Sequence, residues 1–139
     1  MIETSLPAER RERIERAIEA VPYAQLLGIE LEKVVPGEAI LTLAIRRELS
    51  QNHGVVHGGA IASLIDTATA FAILTLLEPD ERVTTVDLTI SYLRPGLEGR
   101  LRATARVLRQ GRRLLTTSAE VTNEGGTLLA TALSTYIKL

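Results

Sequence analysis

One carboxylate, Asp66, interrupts the eighteen-residue run Ala60–Leu77 (AIASLIDTATAFAILTLL), in which every other residue is uncharged. A carboxylate among Ala, Ile, Leu and Phe loses hydration on burial, at a cost of several kcal/mol unless a partner or a proton offsets it. Two readings follow. Asp66 is a general base or nucleophile, or it is a structural Asp paired with an Arg or held by Thr hydroxyls.

Directly upstream stands His57-Gly58-Gly59. The first N–H groups of a helix lack internal acceptors and carry the positive end of its dipole. Glycine lets a ligand approach that backbone closely. Gly58 and Gly59 therefore suit a carbonyl oxygen that becomes an oxyanion, or they are simply the small residues of a tight junction. His57 can orient the loop, bond a carbonyl or pack. His53 lies in the same loop and is given no role. HxxxH without a Glu is not a metal-site pattern, and no metal is expected.

Gly59 and Asp66 are seven residues apart, or about 10 Å along a helix rising 1.5 Å per residue. One small carbonyl cannot touch both. If both act on one substrate, Asp66 comes from a second subunit whose helix runs antiparallel beside the first. That arrangement is an isologous dimer with two sites at its interface.

The elements that must hold these groups are legible in outline. Residues 5–20 read as a surface helix within an N-terminal segment 1–21. Ser5 is its cap, Pro7 sits in its first turn, and Ile14, Ala17, Ile18 and Val21 form its apolar stripe. Glu9–Arg13 and Glu12–Arg16 are expected i,i+4 pairs. Pro22 ends this helix, and a turn over Tyr23–Leu27 follows. Strands are expected at Ile29–Val35 and Glu38–Ile45 around Pro36-Gly37. The apolar helix spans Gly58–Leu77. Strands Val83–Leu93, Arg100–Arg109, Arg113–Asn123 and Thr127–Leu139 read as a β-meander. In the first of these, Val86, Leu88, Ile90 and Tyr92 share one face, and Asp87, Thr89 and Ser91 the other. A helix that is apolar all round must be wrapped. The fold class is α+β, a curved antiparallel sheet around a central helix, with a second copy covering what the sheet leaves open.

The whole chain bounds the function. Its 139 residues make one domain, 1–139, large enough for a real core. A net charge of −1 gives no general attraction to nucleic acid or an anionic membrane. Four aromatic residues, Phe71, Tyr23, Tyr92 and Tyr136, are too few for a base-stacking surface. Asp66 and three Thr within Ala60–Leu77 argue against a membrane span. The absence of cysteine excludes thiol nucleophiles and zinc–thiolate sites and fits the cytoplasm. The charged, polar N-terminus shows no signal-peptide pattern.

The stretch Gln51-Asn52-His53-Gly54-Val55-Val56-His57-Gly58-Gly59-Ala60, with Asp66 nine residues after His57, resembles the hotdog-fold acyl-CoA thioesterases of the phenylacetate-degradation (PaaI-like) type. Thr85–Gly96 (TVDLTISYLRPG) and Val107–Arg112 (VLRQGR) resemble them too. The likeness covers about residues 22–138. It implies a sheet wrapped around the central helix, in homodimers that often pair into homotetramers. Gly58 or Gly59 would donate an N–H to the thioester carbonyl, His57 would shape the loop, and Asp66 of the partner subunit would activate water or attack directly. Thr85 would help hold the water. The family's usual Asn falls on Gln51, with Asn52 one residue late, so either amide can take that role. Coenzyme A would be part of the substrate, with no separate cofactor. Arg94, Arg109, Arg112 and Arg113, at strand ends and turns, are candidates for its phosphates. Leu64, Ile65 or Phe71 would line the acyl pocket. The alternatives are a hydratase or dehydratase on this fold and a non-catalytic acyl-CoA-binding module.

Overall fold

The computed structural model describes residues 5–139. Residues 1–4, the start of the expected N-terminal segment 1–21, lie outside them. Two helices, α1 (Ala8–Glu19) and α2 (Pro22–Leu27), precede strands β1 (Ile29–Val35) and β2 (Glu38–Ala44). The long helix α3 (Gly58–Leu74) follows, then β3 (Val83–Tyr92), β4 (Arg100–Gln110), β5 (Leu114–Thr122) and β6 (Leu128–Lys138). Among the described residues no helix is long and apolar enough to cross a membrane.

The six strands form one antiparallel sheet in the order β1-β2-β4-β5-β6-β3. Only β4-β5-β6 is the expected meander. β3 pairs with β6 at the far edge, and β2 pairs directly with β4. The reason is topological. Between β2 and β3 the chain crosses the face of the sheet as α3, so β3 is delivered to the opposite edge. Alternation along a strand says nothing about its neighbour.

Register shifts near Glu32, Val86, Leu108 and the Val121–Thr122 step break the ladders, and such bulges bend and twist a sheet. Small residues line its inner face: Ala103, Ala105, Ala119 and Ala130 are all nearly or wholly buried. They let α3 sit close, its Ile61, Leu64, Ile65, Ala68 and Ala72 packed against them together with Leu41, Leu43 and Leu101. Each buried Leu or Ile contributes about 1.5–3 kcal/mol.

Several local expectations shift. The helical cap falls at Pro7 rather than Ser5, with no side-chain bond. Pro22 starts a helix, at its first position, where its missing N–H costs nothing. The ion pair on α1 is Arg11–Glu15 rather than Glu9–Arg13 or Glu12–Arg16. Arg10 and Arg13 instead donate to the carbonyls of Thr75 and Leu77, at 3.1 and 3.4 Å. The C-terminal end of α3 has unsatisfied carbonyls and a negative dipole end, and cationic side chains go there. That end comes three residues earlier than the pattern suggests, at Leu74 rather than Leu77.

Candidate active site

One stripe of α3 is left uncovered by the sheet. Gly59, Ala62, Ser63, Asp66, Thr67 and Ala70 are exposed or half-buried, whereas the flanking Ala60, Ile61, Leu64, Ile65, Ala68 and Thr69 are buried. The spacing is that of one helical face. Asp66 is therefore only half-buried in the single chain. The expectation of a carboxylate enclosed in the core is corrected: Asp66 lies at the margin of the open face, where its side chain meets the edge strands β3 and β6. Ser63 and Thr67 turn their hydroxyls back to the carbonyls of Gly59 and Ser63, at 2.8 and 2.7 Å.

The two oxygens of Asp66 differ. Oδ1 accepts from the Thr85 hydroxyl at 2.9 Å and from the Tyr136 phenol at 3.0 Å. Among the described residues no donor reaches Oδ2. The carboxylate borders a cleft of about 280 Å³ lined by Tyr23, Ala62, Ser63, Thr67, Thr85 and Leu88. Thr85 faces Asp66 because of a bulge. Thr85 pairs with Tyr136 and Asp87 with Thr135, which leaves Val86 as the extra residue, 54% exposed. Val86 is thus not in line with Leu88 and Ile90. The bulge resets the alternation and puts Thr85 on the helix side.

At the helix start, His57 is the N-cap and its Nδ1 accepts from the Gly59 N–H at 2.8 Å. An accepting Nδ1 makes Nε2 the protonated nitrogen of the neutral ring. The Gly59 N–H is thereby occupied. Nothing among the described residues accepts from the Gly58 N–H, the other donor of the pair. Gly58 opens on a second cleft, of about 320 Å³, lined also by Gln51, Val55, Ile61, Tyr92, Leu93 and Arg94. Its carbonyl accepts from the Tyr92 phenol at 2.8 Å, and burial raises the pKa of that phenol. The loop is held by the Ser50–Val56 bridge and the Gln51 N–H bond to Val55 O. Gly54 turns it with φ 78°, a left-handed conformation that favours glycine. Gln51 borders this cleft, and Asn52 and His53 are exposed on the turn outside it.

The two clefts are separate on one chain. Leu64, Ile65 and Phe71 line neither, because they face the sheet. The four arginines also separate. Arg94 stands at the Gly58 cleft and bonds Leu128 O at 3.0 Å. Arg109, Arg112 and Arg113 are exposed at the β4–β5 turn, where the paired β6 and β3 carry Tyr136 and Thr85. A concavity of about 670 Å³ between α1 and β1 contains none of these groups. Among the described residues no three His, Asp or Glu side chains gather as a metal site.

Sequence reasoning missed Tyr136, Tyr23 and Tyr92. Tyr136 is the one aromatic in β6, a sign of special placement, but its juxtaposition with Thr85 exists only once β3 pairs with β6. A carboxylate with one free oxygen and a helix start with one free N–H are the kinds of group that acyl transfer to water uses.

Comparison with known proteins agrees. Residues 53–130 match the model of the thioesterase superfamily. Acyl-coenzyme A thioesterase 13 of Homo sapiens is 34% identical over 130 residues, covering 91% of this chain and 92% of the relative. The medium/long-chain acyl-CoA thioesterase YigI of Escherichia coli is 31% identical, covering 84% and 85%. Among solved structures, the E. coli PaaI protein from the phenylacetic acid degradation operon superposes with a TM-score of 0.86 at 27% identity, over 95% of each chain. A thioesterase family protein of Silicibacter pomeroyi gives 0.88 at 26%, over 94% of this chain and 98% of that one. With the sheet, the enclosed helix and the His-Gly-Gly helix start, these likenesses establish that the chain belongs to the thioesterase superfamily, as a PaaI-like enzyme of the hotdog fold that acts on thioester bonds.

Proposed function

We propose that this protein hydrolyses acyl-CoA thioesters, aryl or short- to medium-chain, at two sites shared across a homodimer. The observation that carries the proposal is the unengaged Oδ2 of Asp66 beside an open cleft. Its complement, the Gly58 N–H, is eight residues away on the same helix, about 12 Å at 1.5 Å per residue. A second copy with its α3 antiparallel would bring the Gly58 of one subunit to the Asp66 of the other. The open stripe of small residues suits close helix approach, and the unpaired edge of β3 offers a free row of backbone donors and acceptors. The outer face, with Leu133 57% exposed above Thr89, Ser118 and Glu120, suits pairing of dimers into a tetramer.

In this reading the Gly58 N–H and the Gln51 amide receive the thioester carbonyl oxygen, and the His57 bond holds the loop. Oδ2 of Asp66 takes a proton from water while Thr85 steadies it. The water oxygen adds to the carbonyl carbon, negative charge collects on the oxygen facing Gly58, and collapse breaks the C–S bond. The proton held by Asp66 goes to the departing thiolate, giving free acid and CoA. In the direct route Oδ2 adds to the carbonyl carbon and the C–S bond breaks, expelling CoA thiolate and leaving a mixed anhydride with Asp66; water then opens the anhydride, giving the free acid and the Asp66 carboxylate, and its proton goes to the thiolate. Arg94 of one subunit and Arg109, Arg112 and Arg113 of the other are candidates for the CoA phosphates. No separate cofactor is required, and the cytoplasm, where acyl-CoA is handled, is the proposed location. The names of the human and E. coli relatives support CoA as the thiol carrier.

The test is thiol release from phenylacetyl-, hydroxybenzoyl-, short-, medium- and long-chain acyl-CoA, with Asp66→Asn beside the wild type. Release by the wild type that falls by orders of magnitude in Asp66→Asn supports the reading. No release from any substrate, or full activity in Asp66→Asn, overturns it. A single turnover in ¹⁸O-water tests the direct route: label carried into Asp66 marks an anhydride opened at the Asp66 carboxyl carbon.

A further inference from the structure

Tyr136 is 2% exposed and packs with Ile73, Leu77 and Leu115 in a small apolar cluster beneath α3. Its phenol oxygen nevertheless lies among three polar atoms: Thr69 Oγ1 at 2.7 Å, Asp66 O at 2.8 Å and Asp66 Oδ1 at 3.0 Å. Thr69 also sits 3.1 Å from Ile65 O and 3.2 Å from Asp66 O. Each hydroxyl has one proton to give, and a carboxylate is a stronger acceptor than a neutral hydroxyl. The favoured chain runs from Thr69 to the Tyr136 oxygen, and from the Tyr136 proton to Asp66. Burial, and to a lesser degree the Asp66 charge, holds the phenol pKa well above its ordinary value. Tyr136 therefore remains a donor throughout the working range.

We propose that Tyr136 is a positioning residue for the reaction. Its buried phenol, braced by Thr69, pins Oδ1 of Asp66 from behind so that Oδ2 is presented to the cleft. Thr85 grips the same oxygen from β3. The two donors come from paired residues on adjacent strands, Thr85 opposite Tyr136. Together they fix the rotation of the carboxylate, which neither does alone.

This inference rests on Asp66 as the reacting carboxylate, and the experiment separates the two. Wild type, Tyr136→Phe, Asp66→Asn and the double variant are compared for kcat, KM and melting temperature. The expected result is a kcat lowered about tenfold to a hundredfold in Tyr136→Phe, as for misplacement of a reacting group, with KM little changed. In the Asp66→Asn background the same change has no further effect. Unchanged kcat, or an equal fractional loss in both backgrounds, overturns positioning and leaves a structural tyrosine. Full activity in Asp66→Asn sinks the reading of the site itself. The ¹³C resonance of the Asp66 carboxyl needs no turnover: it is displaced in Tyr136→Phe if the phenol bonds it, and an unmoved resonance overturns the proposal even in an inactive protein. Should Tyr136→Phe not fold, 3-fluorotyrosine inserted at position 136 keeps the shape and strengthens the donor. A changed kcat at constant KM supports the proposal, and an unchanged kcat refutes it.

Discussion

On the sheet side of α3, Leu64, Ile65 and Ala68 are wholly buried, and on the opposite side Gly59, Ala62, Ser63, Asp66, Thr67 and Ala70 remain open. The two faces share one backbone and one seventeen-residue element. The buried face is large, branched and shaped to the alanines of β4 and β5. The open face is small and polar, with its hydroxyls folded back onto the helix. The difference teaches that the fold needs only one side of this helix. The other side is free to carry chemistry, and to meet a second copy.

If that division holds, substitutions on the two faces fail in different assays. Asp66→Asn is expected to lower turnover about a hundredfold to ten-thousandfold, the range for a positioned acid–base group. Its melting temperature stays near that of the wild type, since the Asn Oδ1 can still accept from Thr85 and Tyr136. Leu64→Ala on the buried face is expected to cost about 2–5 kcal/mol of stability through lost burial and a residual cavity, read by denaturant unfolding, with kcat of the folded fraction kept. A Leu64→Ala protein of normal stability would break the comparison.

Ala62→Arg sharpens it on the open face. A long cation in the small-residue stripe is expected to abolish self-association, seen as a monomer in sedimentation. If each site is shared between two subunits, as proposed, turnover is then lost although the chain stays folded. A folded monomer with normal activity would refute the shared site.

Gly59→Ala has a smaller effect. The added methyl would stand 2.9 Å from His57 Nδ1 and 3.2 Å from Cε1, so the ring must swing and the cap bond weakens. A loss of about 1 kcal/mol follows for a disturbed N-cap, with about a tenfold fall in kcat as the loop misaligns. Equilibrium unfolding and steady-state kinetics read the two parts.

The smallest effect lies far from both faces. The Glu78 N–H, and then Lys138, hold the Glu81 carboxyl below its ordinary value of 4.5. A depressed carboxylate contributes stability above that value and loses it as pH falls through the lower folded value. Glu81→Gln is therefore expected to lower the melting temperature slightly at neutral pH, with the gap closing as pH falls below the ordinary carboxylate range. A gap that widened on acidification would reverse the assignment.

Much of this was legible before any coordinates. Asp66, the His-Gly-Gly helix start and all six strands could be read because each signal is local: a lone charge in an apolar run, glycines at a helix start, alternation at period two. The argument from helix rise that Gly59 and Asp66 cannot meet one carbonyl on a single chain needed only their spacing. What could not be read was anything that depends on partners across the sheet. Alternation put Val86 with Leu88, and a bulge removed it. Arg10 and Arg13 looked like solvent-facing charge, and they cap α3. Which of Gly58 and Gly59 keeps a free N–H depends on which one the His57 ring engages.

By itself, then, the sequence determined the candidates for the chemistry, the helix on which they stand and the class of fold, because hydrophobic period and residue type act over one or two turns. Only the tertiary structure decided that β3 lies beside β6, that Thr85 and Tyr136 share one oxygen of Asp66, and which face of α3 stays open. Those outcomes are set by strand register and crossover, which bring together groups dozens of residues apart and are not encoded at any single position.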